Sequence, residues 1–273
     1  MRGKYQLGVV LCGLVLAGCQ PPNVASEQKM LKSGRDLLRA IQEGDVEKAK
    51  QLAHFYWVPI LPEPHKIPMG YKCFFPLHAA TGAGEVEIVK ALIAKGADVN
   101  VRDDFGKTPI MWAVDRWVIV RDKTLEELNH SHIACFRELV KAGADINAGA
   151  RDGWTALHYV SFNLPQIMPY VHELIKLGAD VNRTSTNGET PLHAWCRLTT
   201  KVNKRSEQFH EGVRYVLEHG ADVRIKDKEG RYAEHWLNEQ VPEEKELIDL
   251  IREVRRKQES AHPASRPPSS RKD

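Results

Sequence analysis

The chain has 273 residues, a formal net charge of +3 and 42% hydrophobic residues, which suits one or two compact domains or one repeat array. A balance this near neutrality argues against nucleic acid as a partner, because that function gathers basic residues on one face. Five cysteines without a Cys-x-x-Cys pair give no support for a zinc or dithiol site.

Residues 1–18 read as an export signal. Arg2 and Lys4 make a basic start, and Leu7 to Leu16 is an uncharged apolar run. The run is too short to anchor a protein across a bilayer but suits a signal core. It ends in Leu16-Ala17-Gly18-Cys19, which resembles a bacterial lipobox. That resemblance implies cleavage before Cys19, lipid on its sulfur and an acyl chain on the new amino group. Each buried acyl methylene contributes about 0.8 kcal/mol to anchoring. Gln20 follows the lipidated position where Asp would imply inner-membrane retention, so the expectation is an outer-membrane anchor facing the periplasm. With Cys12 in the signal, Cys73, Cys135 and Cys196 remain. An odd number in an oxidising compartment leaves at least one outside any internal disulfide. Cys135 and Cys196 lie in helical stretches and read as buried thiols, with a disulfide as the alternative.

Residues 19–29 are a polar tether, and a repeat domain spans 30–258. Leu37, Leu38, Ile41, Val46, Ala49 and Leu52 recur at helical spacing from near Leu31, broken by Gly44-Asp45, which predicts a capping helix–turn–helix. Residues 54–70 hold Pro59, Pro62, Pro64 and Pro68, which predict a long connecting loop. Gly-Ala-Asp then recurs at Gly96, Gly143, Gly178 and Gly220, each time after an apolar helical stretch. Some ten residues on comes a Thr-Pro-Leu-His variant, clearest at Phe75–His78, Thr155–His158 and Thr190–His193. The second positions of these variants, Pro76, Pro109, Ala156, Pro191 and Ala233, step by 33, 47, 35 and 42 residues. The longer steps imply insertions near 116–130 and 198–208.

These offsets resemble the ankyrin repeat, whose period is 33, over roughly residues 34–258. The resemblance implies an all-α repeat solenoid of five to six helix–turn–helix units with short β-hairpin tips. Thr caps each first helix and Pro fits its first turn, where a missing N–H costs nothing. Glycines end the second helices and sit at the tips (Gly106, Gly153, Gly188, Gly230). His78, His158, His193 and His235 share one repeat position, where the family hydrogen-bonds adjacent loops. They lie a repeat apart, too far to share a zinc ion whose ligands sit about 2 Å away. His130-Ser131-His132, at an insertion end, could bind a metal weakly but reads better as polar side chains facing solvent. The last unit, Tyr232-Ala233-Glu234-His235, is degenerate. Glu243 to about Lys257 forms a charged capping helix whose Glu243, Glu244 and Glu246 face solvent, and 259–273 reads as a disordered tail.

No Gly-x-Ser-x-Gly, phosphate loop or paired catalytic acids occur, so no catalytic residue, metal, cofactor or small-molecule substrate is expected. In ankyrin proteins, contacts come from the tips and the exposed side of the first helices. Carried onto this chain, that implies Asp104, Phe105, Lys107, Arg151, Asp152, Trp154, Glu189 and Arg231 at tips. Trp112, Arg116, Tyr159, Phe162, Arg197 and Trp236 fall on first helices. Trp, Tyr and Arg dominate interface hot spots, so exposed rings at 105, 112, 154, 159 and 162 would favour a partner. The alternative is that some pack on neighbouring hairpins or under an insertion. Trp195 stands where Ala is usual and reads as core. Scaffold and lipid address together resemble ankyrin lipoproteins that neutralise type VI secretion effectors, notably phospholipases. The implied partner is a secreted lipase, blocked by occlusion. The rival implication is a periplasmic adaptor that holds or protects an envelope enzyme.

Overall fold

The computed structural model describes residues 24–55, 75–115, 124–163, 168–199 and 207–261. The signal, Cys19, Cys73, Arg116, most of the proline-rich loop, both insertion centres and residues 262–273 lie outside these. The chain divides between Arg151 and Asp152 into two compact units. Among the described residues every element is helical and no strand occurs.

In the first unit, α1 (Val24–Glu43) and α2 (Val46–Leu52) are followed by α3 (Pro76–Gly82), α4 (Val86–Ala94), α5 (Pro109–Asp115) and α6 (Leu125–Lys141). First helices pack on first helices, α1 on α3 and α3 on α5. Second helices do likewise, α2 on α4 and α4 on α6. Gly44, at φ 68°, turns α1 into α2, and Asp45 caps α2 by accepting from the Lys48 amide at 3.0 Å. The core of this unit includes Leu37, Ile41, Leu77, Ile88, Leu92, Ile110 and Phe136. None of these helix pairs covers its own apolar face; each does so against the next pair.

The second unit repeats the plan. It holds α7 (Ala156–Asn163), α8 (Met168–Lys176), α9 (Pro191–Thr199), α10 (Glu207–Glu218), a 3₁₀ turn (Ala233–Trp236) and α11 (Pro242–Ala261). Helix α7 packs on α9 and α9 on the 3₁₀ turn, while α8 packs on α10 and α10 on α11. Trp195 is fully buried, and its indole N–H donates to the Leu157 carbonyl at 3.0 Å. That hydrogen bond lets a large ring occupy an alanine site without stranding a polar group.

Several boundaries differ from expectation. Helix α1 begins at Val24, inside the supposed tether, and α11 runs to Ala261, past the supposed start of the tail. The insertion at 116–130 is partly helix, since α6 begins at Leu125 under a capping box between Thr124 and Glu127. The second insertion is helical at both ends, where α9 reaches Thr199 and α10 starts at Glu207. The β-hairpin tips are turns rather than paired strands. Each of three is closed by one amide–carbonyl bond: Asp103 to Lys107 at 3.0 Å, Ser185 to Glu189 at 2.8 Å, and Asp227 to Arg231 at 3.0 Å. Five residues are too few to build a ladder.

Candidate protein-binding surface

Three of the four described tips are built around the side chain at their first position. Asp103 Oδ1 accepts the amides of Phe105 and Lys107, both at 2.8 Å. Asp227 Oδ1 does the same for Glu229 and Arg231 at 2.9 Å, and the Ser185 hydroxyl for Asn187 and Glu189 at 3.2 Å. Ala150 stands at the equivalent place in the remaining tip and can accept nothing. There Asp152, two residues on, takes over by accepting the Trp154 amide at 3.0 Å. These side chains replace water as acceptors for turn amides, so the tips are stiffened from within.

Neighbouring tips are also bonded to one another. In the first unit the Arg151 amide donates to the Phe105 carbonyl at 2.9 Å; in the second, Thr186 donates to Asp152 at 2.8 Å and Lys228 to Asn187 at 2.9 Å. The approach is close enough that a Cβ on Gly153 would lie 2.5 Å from the Thr186 nitrogen. Asparagines just after the second helices add a further clamp. Asn100 donates to the Gly143 carbonyl at 3.2 Å and accepts the Asp145 amide at 2.7 Å. Asn182 does the same with Gly220 and Asp222, at 2.9 and 2.7 Å.

The repeat histidines complete the frame. His158 Nδ1 accepts from the Thr155 amide and hydroxyl, which places the proton on Nε2. Nε2 donates to the Glu189 carbonyl at 3.1 Å. His78 and His193 make the same bridge to Lys107 and Arg231, at 3.0 and 3.2 Å. Burial pushes the His158 pKa down to about 4 and also lowers His78 and His193. All three are therefore neutral hydrogen-bonding struts near neutral pH. His235 alone is exposed.

The structure corrects the exposed aromatic row. Trp112, Trp154 and Tyr159 are only 3%, 5% and 8% exposed, whereas Phe105 is 39% exposed. The reason is hydrogen bonding to the tip aspartates. Trp112 Nε1 donates to Asp103 Oδ2 at 2.8 Å, and the Tyr159 hydroxyl reaches Asp152 Oδ2 at 3.2 Å. Each ring thereby folds under its own tip. Trp154 lies against both Tyr159 and His158, at centroid distances of 5.3 and 5.6 Å. The Phe162 side chain is outside the described set.

The charged candidates divide. Arg151 and Asp152 are exposed and Asp104 is half-buried. Lys107 and Glu189 are buried, and Glu189 lies 3.4 Å from Arg197, whose guanidinium is 5.5 Å from the centre of the Trp154 ring. Arg231 pairs with Asp227 at 2.8 Å and covers the half-buried Trp236 ring at 4.4 Å. Of these candidates, Phe105 and Arg151 are exposed at tips of the first unit and Asp152 at a tip of the second. Asp103, Asn100 and Asn182 were missed as determinants of this surface, although Asp-x-x-Gly and Asn recur in register. Two surface readings also fail. His132 is buried, with Nε2 3.1 Å from the Gly82 carbonyl. Glu244 is buried too and accepts the Asn238 amide.

Cys135 and Cys196 are buried thiols, and burial raises the Cys196 pKa. Among the described residues no group of three or more His, Cys, Asp or Glu could hold a metal, and no helix is long and apolar enough to cross a membrane.

Family profiles for ankyrin repeats match residues 37–121, 152–186 and 187–228, together more than half of the chain. The sequence is 36% identical over 95 residues to a probable E3 ubiquitin-protein ligase of Oryza sativa subsp. japonica, covering 33% of this chain and 16% of that protein. It is 31% identical over 97 residues to the 2-5A-dependent ribonuclease of Mus musculus, covering 34% and 12%. An E3 ubiquitin-protein ligase of Arabidopsis thaliana is 33% identical over 137 residues, covering 48% and 22%. The chain thus spans less than a quarter of each of these relatives.

Proposed function

The chain belongs to the ankyrin-repeat family and is a protein-binding scaffold; on that premise we propose that lipid on Cys19 tethers it in the periplasm, where it binds and occludes an antibacterial effector. The observation that supports binding by rigid presentation is the bonding of neighbouring tips within each unit, where backbone, side-chain and histidine contacts hold the turns before any partner arrives. Preorganisation of that kind reduces the ordering cost of association. Asp104, Arg151 and the exposed Phe105 ring in the first unit, and Asp152 in the second, are tip groups offered to a partner. Half-buried Arg197, Arg231 and Trp236 add cationic and aromatic groups in the second unit. Rings beneath the tips set their shape instead of touching the partner.

The address rests on Leu16-Ala17-Gly18-Cys19 behind an apolar run. A membrane-tethered receptor intercepts a lipase on its way to its substrate, which is why a phospholipase effector is the partner class proposed. No chemistry is required of the scaffold. The test compares deletion, wild-type and Cys19→Ala strains in mixed culture with a type VI attacker, alongside membrane fractionation. Wild type should protect and sediment with the outer membrane; Cys19→Ala should be released into the soluble fraction. Survival of the deletion strain beside an active attacker, with the protein co-purifying with a resident envelope enzyme, would support the adaptor reading instead.

A further inference from the structure

Within each unit a tip engages the one before it through two recurring contacts. The amide of its second residue donates to the carbonyl of the preceding tip's third residue, as in Arg151 to Phe105, Thr186 to Asp152 and Lys228 to Asn187. The carbonyl of its fifth residue meets the preceding repeat histidine, as in Lys107 with His78, Glu189 with His158 and Arg231 with His193. The last tip, Asp227–Arg231, makes both contacts backward. On its forward side neither is filled among the described residues. The Glu229 carbonyl, equivalent to those of Phe105 and Asn187, receives no hydrogen bond there. His235, equivalent to His158, is exposed, although its amide bonds to Tyr232 at 3.0 Å as His158 does to Thr155. A Cβ on Gly106, Gly153 or Gly188 would meet the next tip's backbone nitrogen at 2.5–3.0 Å, while one on Gly230 would meet nothing within 4 Å. The vacant forward position is a groove of about 440 Å³ lined by Gly230, Tyr232, His235, Leu237 and Ile248 among others.

We propose that this end face is a second protein-docking site, and that its occupant is an exposed turn of a partner protein presented as a further tip would be. The surface continues the repeat-to-repeat interface, and it offers the Glu229 carbonyl, the His235 ring and open space at Gly230, the groups that a following tip engages elsewhere in the stack. A small anion is disfavoured as the ligand. Arg231 is paired with Asp227 and Glu229, and Arg252 with Glu239 at 2.7 Å. A second copy of the chain is disfavoured because its tip groups Arg151 N, Thr186 N and Lys228 N, with the carbonyls of Lys107, Glu189 and Arg231, are already bonded internally. Its existence does not depend on the lipid tether or on the effector as partner.

The probe is a cyclised peptide carrying the chain's own turn, Ser-Thr-Asn-Gly-Glu-Thr, titrated into the ¹⁵N-labelled full chain and followed by NMR. Saturable shifts at Glu229, Gly230, Tyr232 and the His235 ring are expected. A peptide with Pro at its second position lacks the donor N–H and should bind about tenfold more weakly. His235→Ala, which changes an exposed side chain, should weaken the parent peptide while leaving far-ultraviolet circular dichroism unchanged. Absence of saturable shifts up to about 5 mM peptide, equal binding of the Pro peptide, or shifts confined to other tips would each overturn the proposal.

Discussion

Acid should loosen the second unit through His158. Its folded pKa of about 4 lies below the ordinary 6.5 because burial disfavours the imidazolium, more than the Glu189 carbonyl and Asp152 favour it. Above pH 6.5 the folded and unfolded states are both neutral at this site, and its struts contribute in full. Between pH 6.5 and 4 the unfolded chain takes up a proton that the folded chain refuses, so stability falls with pH. Linkage gives a loss of about 2 kcal/mol by pH 5 and about 3 kcal/mol below pH 4. The assay is urea unfolding from pH 7.5 to 4.5, followed by tryptophan fluorescence; the Trp154 ring lies 5.6 Å from His158 and reports on this unit. His158→Gln should cost about 1–3 kcal/mol at pH 7.5 by leaving the Thr155 and Glu189 groups unpaired. It should then show a shallower decline toward pH 5, because His78 and His193 still titrate but His158 does not. Parallel pH curves for the two proteins would refute the reasoning.

Gly153→Ala and Gly230→Ala both force a side chain to positive φ, 79° and 78°. Gly230→Ala should cost about 1–2 kcal/mol, and Gly153→Ala should cost at least about 2 kcal/mol more in thermal unfolding, because its Cβ meets the Thr186 nitrogen. Trp154→Ala should lower stability by about 3–5 kcal/mol, the expected cost of a buried ring and far more than an exposed contact residue would show. Phe105→Ala should leave stability within about 0.5 kcal/mol while weakening partner capture by about 2 kcal/mol if that ring is a hot spot; calorimetric unfolding and a pull-down with the cognate partner separate the two effects.

What the sequence by itself determined is the repeat. Gly-Ala-Asp and Thr-Pro-Leu-His are local signals, because a helix end needs its glycine and a helix start its cap regardless of what lies nearby. The apolar stretches before Gly-Ala-Asp hold Leu92, Phe136 and Leu174, all buried, and Trp195, read as core from its alanine position, is buried too. Tertiary structure decided which tip side chains face outward. Trp112 and Tyr159 occupy first-helix positions that the resemblance left exposed, yet Asp103 and Asp152 draw their polar atoms under the tips. That choice depends on an acceptor seven to nine residues away whose direction is set only once the turn has closed. The Asn100 and Asn182 clamps also join residues some forty positions apart. A one-dimensional pattern can mark such residues as recurrent, but only the stacked repeats bring their partners within hydrogen-bonding distance.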